Sequence, residues 1–171
     1  MDAAVIRSLA RWPDVPACHG WLSLDRQGRW RLQGEIVTHA GFAEFIGRNY
    51  LNDAAGRWFF QNGPQRVFVD LDYTPWVFRL SPALPSFVSH TGLPATEMAV
   101  WIDEAGLALL ETDLGIGVLA SQDLSRLAEA FTLDETLQRG SLSFGGRELP
   151  VAPIASGEVA GRFGFDPQPR P

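Results

Sequence analysis

The sequence predicts an α+β fold made of two similar hairpin–helix–hairpin units packed as one compact body. Three observations carry this. Two-residue alternation of apolar and polar residues brackets an Asp-x-x-Gly turn at Asp25 to Gly28 and again at Asp103 to Gly106. A helical stripe follows each turn region. The later hairpins of the halves lie over one another without gaps, Gln61 opposite Phe144 and Arg79 opposite Arg162, so the order of elements repeats although few letters do.

Each element has its own warrant. Val5, Ile6, Leu9 and Trp12 recur at helical spacing, which predicts a short helix over residues 2–11 that Pro13 stops. His19–Leu24 and Arg29–Gln33 read as two strands; in the second, Trp30 and Leu32 alternate with Arg29, Arg31 and Gln33. Phe42, Phe45, Ile46 and Asn49 form one helical stripe with Thr38 as the expected N-cap. Arg57–Gln61 and Arg66–Asp72 form a hairpin around Asn62-Gly63. Pro75 breaks the ladder before a strand at Trp76–Leu80.

Residues 81–97 hold three prolines and read as a Pro/Ser-rich linker, with Ser86–His90 as a short edge strand. Met98–Ile102 and Leu107–Glu111 repeat the strand–turn–strand pattern. A helix opens at Ser121 with Leu124, Leu127, Ala128 and Phe131 on one face, and Thr132-x-x-Glu135 has capping-box spacing for a further short helix ending at Arg139 and Gly140. Ser141–Phe144 and Leu149–Ile154 form another hairpin, and Glu158–Phe165 reads as a final strand. The expected organisation is a helix in 1–14, repeats at 15–80 and 98–165 joined by 81–97, and a loose tail at 166–171.

Composition excludes several chemistries. Among 171 residues all 14 basic ones are Arg, so no lysine can form a Schiff base or hold a phosphate. The single cysteine, Cys18, forbids an internal disulfide and any zinc site built from paired cysteines. The net charge of -6 argues against nucleic-acid binding, and no apolar run suits a membrane span or a secretory signal, so cytoplasmic residence is the expectation. Nine Arg and five of the six Trp lie in residues 1–80, which makes the first half the expected recognition surface.

Chemistry-bearing motifs are sparse. Cys18-His19 with His39, or the strand carboxylates Asp70 and Asp72, are the groups a hydrolase would use, but neighbouring strand residues face opposite sides and no catalytic spacing accompanies them. No metal-ligand motif and no cofactor site is expected. Gly115 to Ala120 matches a dinucleotide fingerprint in letters but has the pattern of a strand. The densest polar and aromatic stretch supplies the expected ligand-binding residues: Arg48, Tyr50, Arg57, Trp58, Gln61, Asn62 and Arg66, whose guanidinium forks suit a small anion.

Asp25-x-x-Gly28-x-Trp30 continuing to Gly34 and Ile36, then His39, a Phe-containing helix, Asp53 to Gly56, an aromatic strand, and a Val-x-Val strand leading to Pro75-Trp76, together resemble uncharacterised proteobacterial families of unknown function. The resemblance spans residues 19–80; Asp72-Tyr73 stands where an acidic pair would precede the proline. It implies two tandem related α+β units, a ligand cleft and a regulatory or signalling role without an established activity. The functional expectation is a non-catalytic bacterial module that binds a small anionic molecule or a protein, with a hydrolase or an assembly protein pairing through strand edges as alternatives.

Overall fold

The structure, a computed structural model, describes residues 1–12, 14–82 and 85–171. It divides into two units, one comprising Met1–Asp25, Arg29–Tyr73 and Gly164–Pro171, the other Arg26–Gly28 and Thr74–Phe163.

The first unit begins with α1 (Ala3–Arg11), which buries Val5 and leaves Ile6 and Trp12 exposed. The strands β1 (Cys18–Leu24), β2 (Trp30–Leu32) and β3 (Glu35–Ile36) form an antiparallel meander. Helix α2 (Ala40–Arg48) crosses to a second meander of β4 (Tyr50–Asn52), β5 (Trp58–Asn62) and β6 (Gln65–Leu71). The last strand returns parallel to the first, Leu22 beside Val69 and Leu24 beside Leu71, so the sheet runs β3-β2-β1-β6-β5-β4. Those four residues are almost wholly buried.

The second unit adds a meander of β7 (Trp76–Leu80), β8 (Phe87–Ser89) and β9 (Pro94–Ala95). It continues with β10 (Glu97–Ile102), β11 (Ala108–Thr112) and β12 (Gly115–Leu119), then α3 (Ser121–Leu127), then β13 (Phe131–Leu133), β14 (Gly140–Phe144) and β15 (Arg147–Pro153), and ends in α4 (Val159–Phe163). Here β15 returns parallel to β10, Val100 beside Val151 and Ile102 beside Pro153.

The two sheets share a register. Leu22–Leu32 and Leu24–Trp30 have counterparts 78 positions on, Val100–Leu110 and Ile102–Ala108. Phe60–Val67 and Asn62–Gln65 have counterparts 82 positions on, Leu142–Leu149 and Phe144–Arg147, so Asn62 and not Gln61 stands opposite Phe144. The parallel pairs Leu22–Val69 and Val100–Val151 obey both offsets, as does the next bond, Asp72 N–H to Leu24 O and Ile154 N–H to Ile102 O. The change of offset is explained where β11 and β12 extend their hairpin to Thr112 and Gly115, beyond the counterparts of Leu32 and Glu35.

The fold is α+β, with six strands in one sheet and nine in the other. Several elements differ from expectation. Trp76–Leu80 is hydrogen-bonded into the nine-stranded sheet beside β12. Residues 81–97 carry two strands, and β8 is paired on both sides; Ala83 and Leu84, like Pro13 after α1, lie outside the described residues. The segment after Thr132 is not a helix. Asp134 there accepts the Thr136 N–H at 3.1 Å and its backbone N–H donates to Arg139 O at 2.8 Å, which closes a loop between strands.

The expected last strand is α4, preceded by a single 3-10 turn at Ser156–Glu158 and followed by Gly164 at φ +67. The tail is tied down rather than loose: Leu71 N–H donates to Pro167 O at 2.8 Å, and Arg170 pairs with Asp70 at 2.7 Å.

Two residues fix these joints. Gly56 sits at φ +74, where an added Cβ would lie 2.1 Å from Gly164 O. Gly56→Ala is expected to cost about 2 kcal/mol or more, because it meets both an unfavourable backbone and a collision with main chain; urea unfolding measures this. His90 accepts the Val77 N–H at Nδ1, and burial, followed by the Arg79 cation, holds its pKa down to about 3. The unfolded ring takes a proton below its ordinary value of 6.5, so this contribution is complete above pH 6.5 and is lost as the pH falls toward 3. The thermal midpoint of the wild type should therefore drop more steeply between pH 7 and 4 than that of His90→Asn, as read by circular dichroism.

Candidate functional site

The helix-facing side of the first sheet is where its apolar side chains converge. Leu22 of β1, Leu32 of β2, Phe60 of β5 and Val67 of β6 share that face by strand alternation, and α2 lies over it with Phe42 and Ile46. They enclose a cavity of about 370 Å³, completed by Cys18, Trp21, Asn62 and Gln65.

Helix α2 is held over this cavity at both ends. At its start His39, not Thr38, is the N-cap: the ring Nδ1 accepts the Phe42 N–H at 3.1 Å, a bond the Thr38 hydroxyl is one residue too early to make. At its end the fully buried Asn49 donates to Phe45 O at 2.9 Å and accepts the Asp2 N–H at 2.7 Å, which ties α1 to α2. Phe42 and Phe45 both stand edge-on to Phe60, at 6.4 and 5.3 Å, so one ring organises the floor of the cavity.

The wall is apolar, and part of it is open to water. Trp21, Phe42 and Leu32 are 51%, 38% and 40% exposed, converging on one opening although each has the bulk to be buried elsewhere. The polar groups sit at one end. Asn62 is exposed, and the Gln65 amide donates to Pro16 O at 3.1 Å.

The residues expected to bind a ligand are dispersed. Only Asn62 lines the cavity. Tyr50, Trp58 and Gln61 are buried: the Tyr50 ring packs against Trp30 and Trp58, burial pushes its hydroxyl pKa well up, and the Gln61 amide donates to Gly63 O at 2.9 Å. Arg48 pairs with Asp2 at 3.3 Å, Arg57 with Asp53 at 2.7 Å, and Arg66 lies over the Phe59 ring at 4.7 Å. The guanidinium groups are thus engaged one by one rather than gathered into an anion site.

The groups a hydrolase would need are also apart. Cys18 lines the cavity, whereas His19 stacks on Phe68 at 4.5 Å, on the other face of the sheet, with its Nδ1 3.1 Å from Pro169 O. Asp70, two residues beyond Phe68, shares that other face and is held by Arg170. Among the described residues no group of three or more His, Cys, Asp or Glu is placed to hold a metal ion. None of their helices is long and apolar enough to cross a membrane. Gly117 within the fingerprint-like segment serves packing: it is in β12, and an added Cβ would lie 2.4 Å from the Phe78 ring.

Sequence reasoning missed Trp21, Leu32 and Phe42 as a cluster. Each is an ordinary apolar residue on a correctly predicted element, and only the crossing of α2 over the sheet brings them to one opening.

These features define a class: an α+β protein whose open sheets each join two meanders through a parallel return strand and whose first unit holds an apolar cavity beneath its crossover helix. The chain belongs to the family described as "Protein of unknown function (DUF2946)", which matches residues 1–170. Its fold is similar to that of a DUF1285 family protein from Silicibacter pomeroyi, at a TM-score of 0.59 and 15% identity over 84% of this chain and 86% of that one. A DUF1285 family protein from Shewanella baltica matches at a TM-score of 0.46 and 16% identity, over 66% of this chain and 93% of that one. No curated protein matches.

The cap on α2 can be tested directly. His39→Ala removes the acceptor for the Phe42 N–H and should cost about 1 kcal/mol, or roughly 2–4 °C in the thermal midpoint for a chain of this size. Differential scanning fluorimetry checks it.

Proposed function

We propose that this protein is a non-catalytic module whose first unit binds a small molecule with an apolar body and a polar end. The observation that carries this is the cavity of about 370 Å³ beneath α2, with aromatic and aliphatic walls and Asn62 and Gln65 at one end. Its size lies in the range of small-molecule sites, and water in such a space has few partners, so its release favours an apolar occupant. The Arg residues speak against a bare anion as ligand, since Asp2, Asp53 and the Phe59 ring already engage them. A cytoplasmic sensor reading such a molecule is the regulatory role this implies.

We also infer that the two units descend from one by duplication. The shared registers and the common parallel return support it, because unrelated sheets have no reason to preserve the same strand partners.

The probe for the ligand site is anilinonaphthalene sulfonate, a dye with apolar rings and one polar end. The native protein should enhance its fluorescence, and Phe42→Ser, which removes a rim ring at an exposed position, should weaken dye binding on the order of tenfold. The dye should also slow alkylation of Cys18 in the cavity wall. Dye fluorescence unchanged by Phe42→Ser, together with unaltered Cys18 alkylation, refutes the assignment.

A further inference from the structure

The second unit has its own cavity beneath α3, of about 310 Å³, walled by Ile102 and Ala108 of the sheet, Leu124 and Ala128 of the helix side, and Phe131 and Leu133 of β13. Leu137, 67% exposed and at φ +58, stands at its mouth. Every lining side chain is apolar.

The shared register identifies what occupies the corresponding place in the first unit. The Ile102–Ala108 pair stands where Leu24–Trp30 does, Phe131–Leu142 where Tyr50–Phe60 does, and Leu133–Gly140 where Asn52–Trp58 does. In the first unit that end of the helix-facing groove is solid with rings. Trp30 meets Tyr50 edge-on at 5.0 Å, Tyr50 lies against Trp58 at 4.7 Å, and all three are buried. The second unit keeps one ring, Phe131, and replaces the two indoles by Ala108 and Gly140.

Gly140 cannot regain a side chain, since its Cβ would lie 1.9 Å from Thr132 O. The opposite end of the groove shows the reverse. Phe144 takes the place of Asn62 and stacks on Phe87 at 4.4 Å, so the space that is open in the first unit is filled in the second. Each unit therefore leaves open the end that the other fills with its own aromatic side chains.

We propose that the cavity beneath α3 is a binding site for a small, uncharged, planar aromatic molecule of indole size. The first unit shows what fits: where Ala108 lines this cavity, the first unit carries the Trp30 indole, held against the Tyr50 ring on the Leu24 side. The uncharged character follows from a lining that offers no ion or polar side chain to compensate a buried charge. An aromatic ligand would meet the Phe131 ring, and the exposed Leu137 side chain stands where it can cover the entrance.

5-Fluoroindole is a suitable probe, with its fluorine resonance as the readout on the full-length chain. The wild type should broaden the resonance, and Ala128→Trp and Ala108→Trp, which put a ring into the cavity, should weaken binding on the order of tenfold. Phe42→Ser, in the first unit's cavity, should leave the broadening intact. Ala128 is on the surface, so Ala128→Trp decides the matter if Ala108→Trp fails to fold by circular dichroism. An absence of broadening, or broadening that survives Ala128→Trp but disappears in Phe42→Ser, overturns the proposal; the latter result leaves the reading of the first cavity standing.

Discussion

Everything in each unit hangs on one pairing, the return of the last strand to run parallel beside the first. Leu22 and Leu24 against Val69 and Leu71 form the most deeply buried ladder of the first sheet, and Val100 and Ile102 against Val151 and Pro153 hold the same position in the second. A parallel pair cannot be joined by a tight turn, so the chain must cross over one face of the sheet, and a helix is the economical way to do so. The helix in turn gives the sheet a covered face. The cavities lie on that face because two meanders and one short helix do not supply enough side chain to fill the whole groove.

Turn chemistry supports this from outside. Asp25, Asp53 and Asp103 each accept the backbone N–H of the residue four positions on, at 2.9, 3.0 and 2.8 Å, and two of them also hold an Arg. These short carboxylates fix hairpin lengths, and hairpin lengths fix which residue of each strand meets the helix. A slip of one position would turn the apolar row to the opposite face of the sheet.

Much of the fold was legible in the letters. The Asp-x-x-Gly turns, the hairpin at Asn62-Gly63 and the stripe of Phe42, Phe45, Ile46 and Asn49 all follow local rules that tertiary contacts leave in force. Two of the differences depended on distant partners. Glu158–Phe165 has the apolar content of a strand, yet Ser156 is fixed by Glu104 and Arg162 lies over the Trp101 ring at 4.1 Å, and these contacts favour a helical turn. Trp76–Leu80 was read correctly as a strand, but which sheet it joins is a matter of its pairing with β12. The site was less legible for a related reason. Arg and aromatic side chains clustered along the sequence are sent to different faces by strand alternation, whereas the residues that line the cavity come from five separate elements.

The last segment of the chain adds an order of events. Gly164–Pro171 belongs to the first unit, where Asp166 N–H donates to Gly56 O at 3.0 Å and Pro167 O accepts from Leu71. At a ribosomal speed of about 5–20 residues per second, the strands of the first unit emerge roughly ten seconds before this piece does. The first unit therefore waits, without the segment that bonds Gly56 and Leu71, while the second is made. Its final assembly needs residues 164–171, and a nascent chain stalled before residue 164 would present Gly56 and Leu71 with their main-chain groups still hydrated.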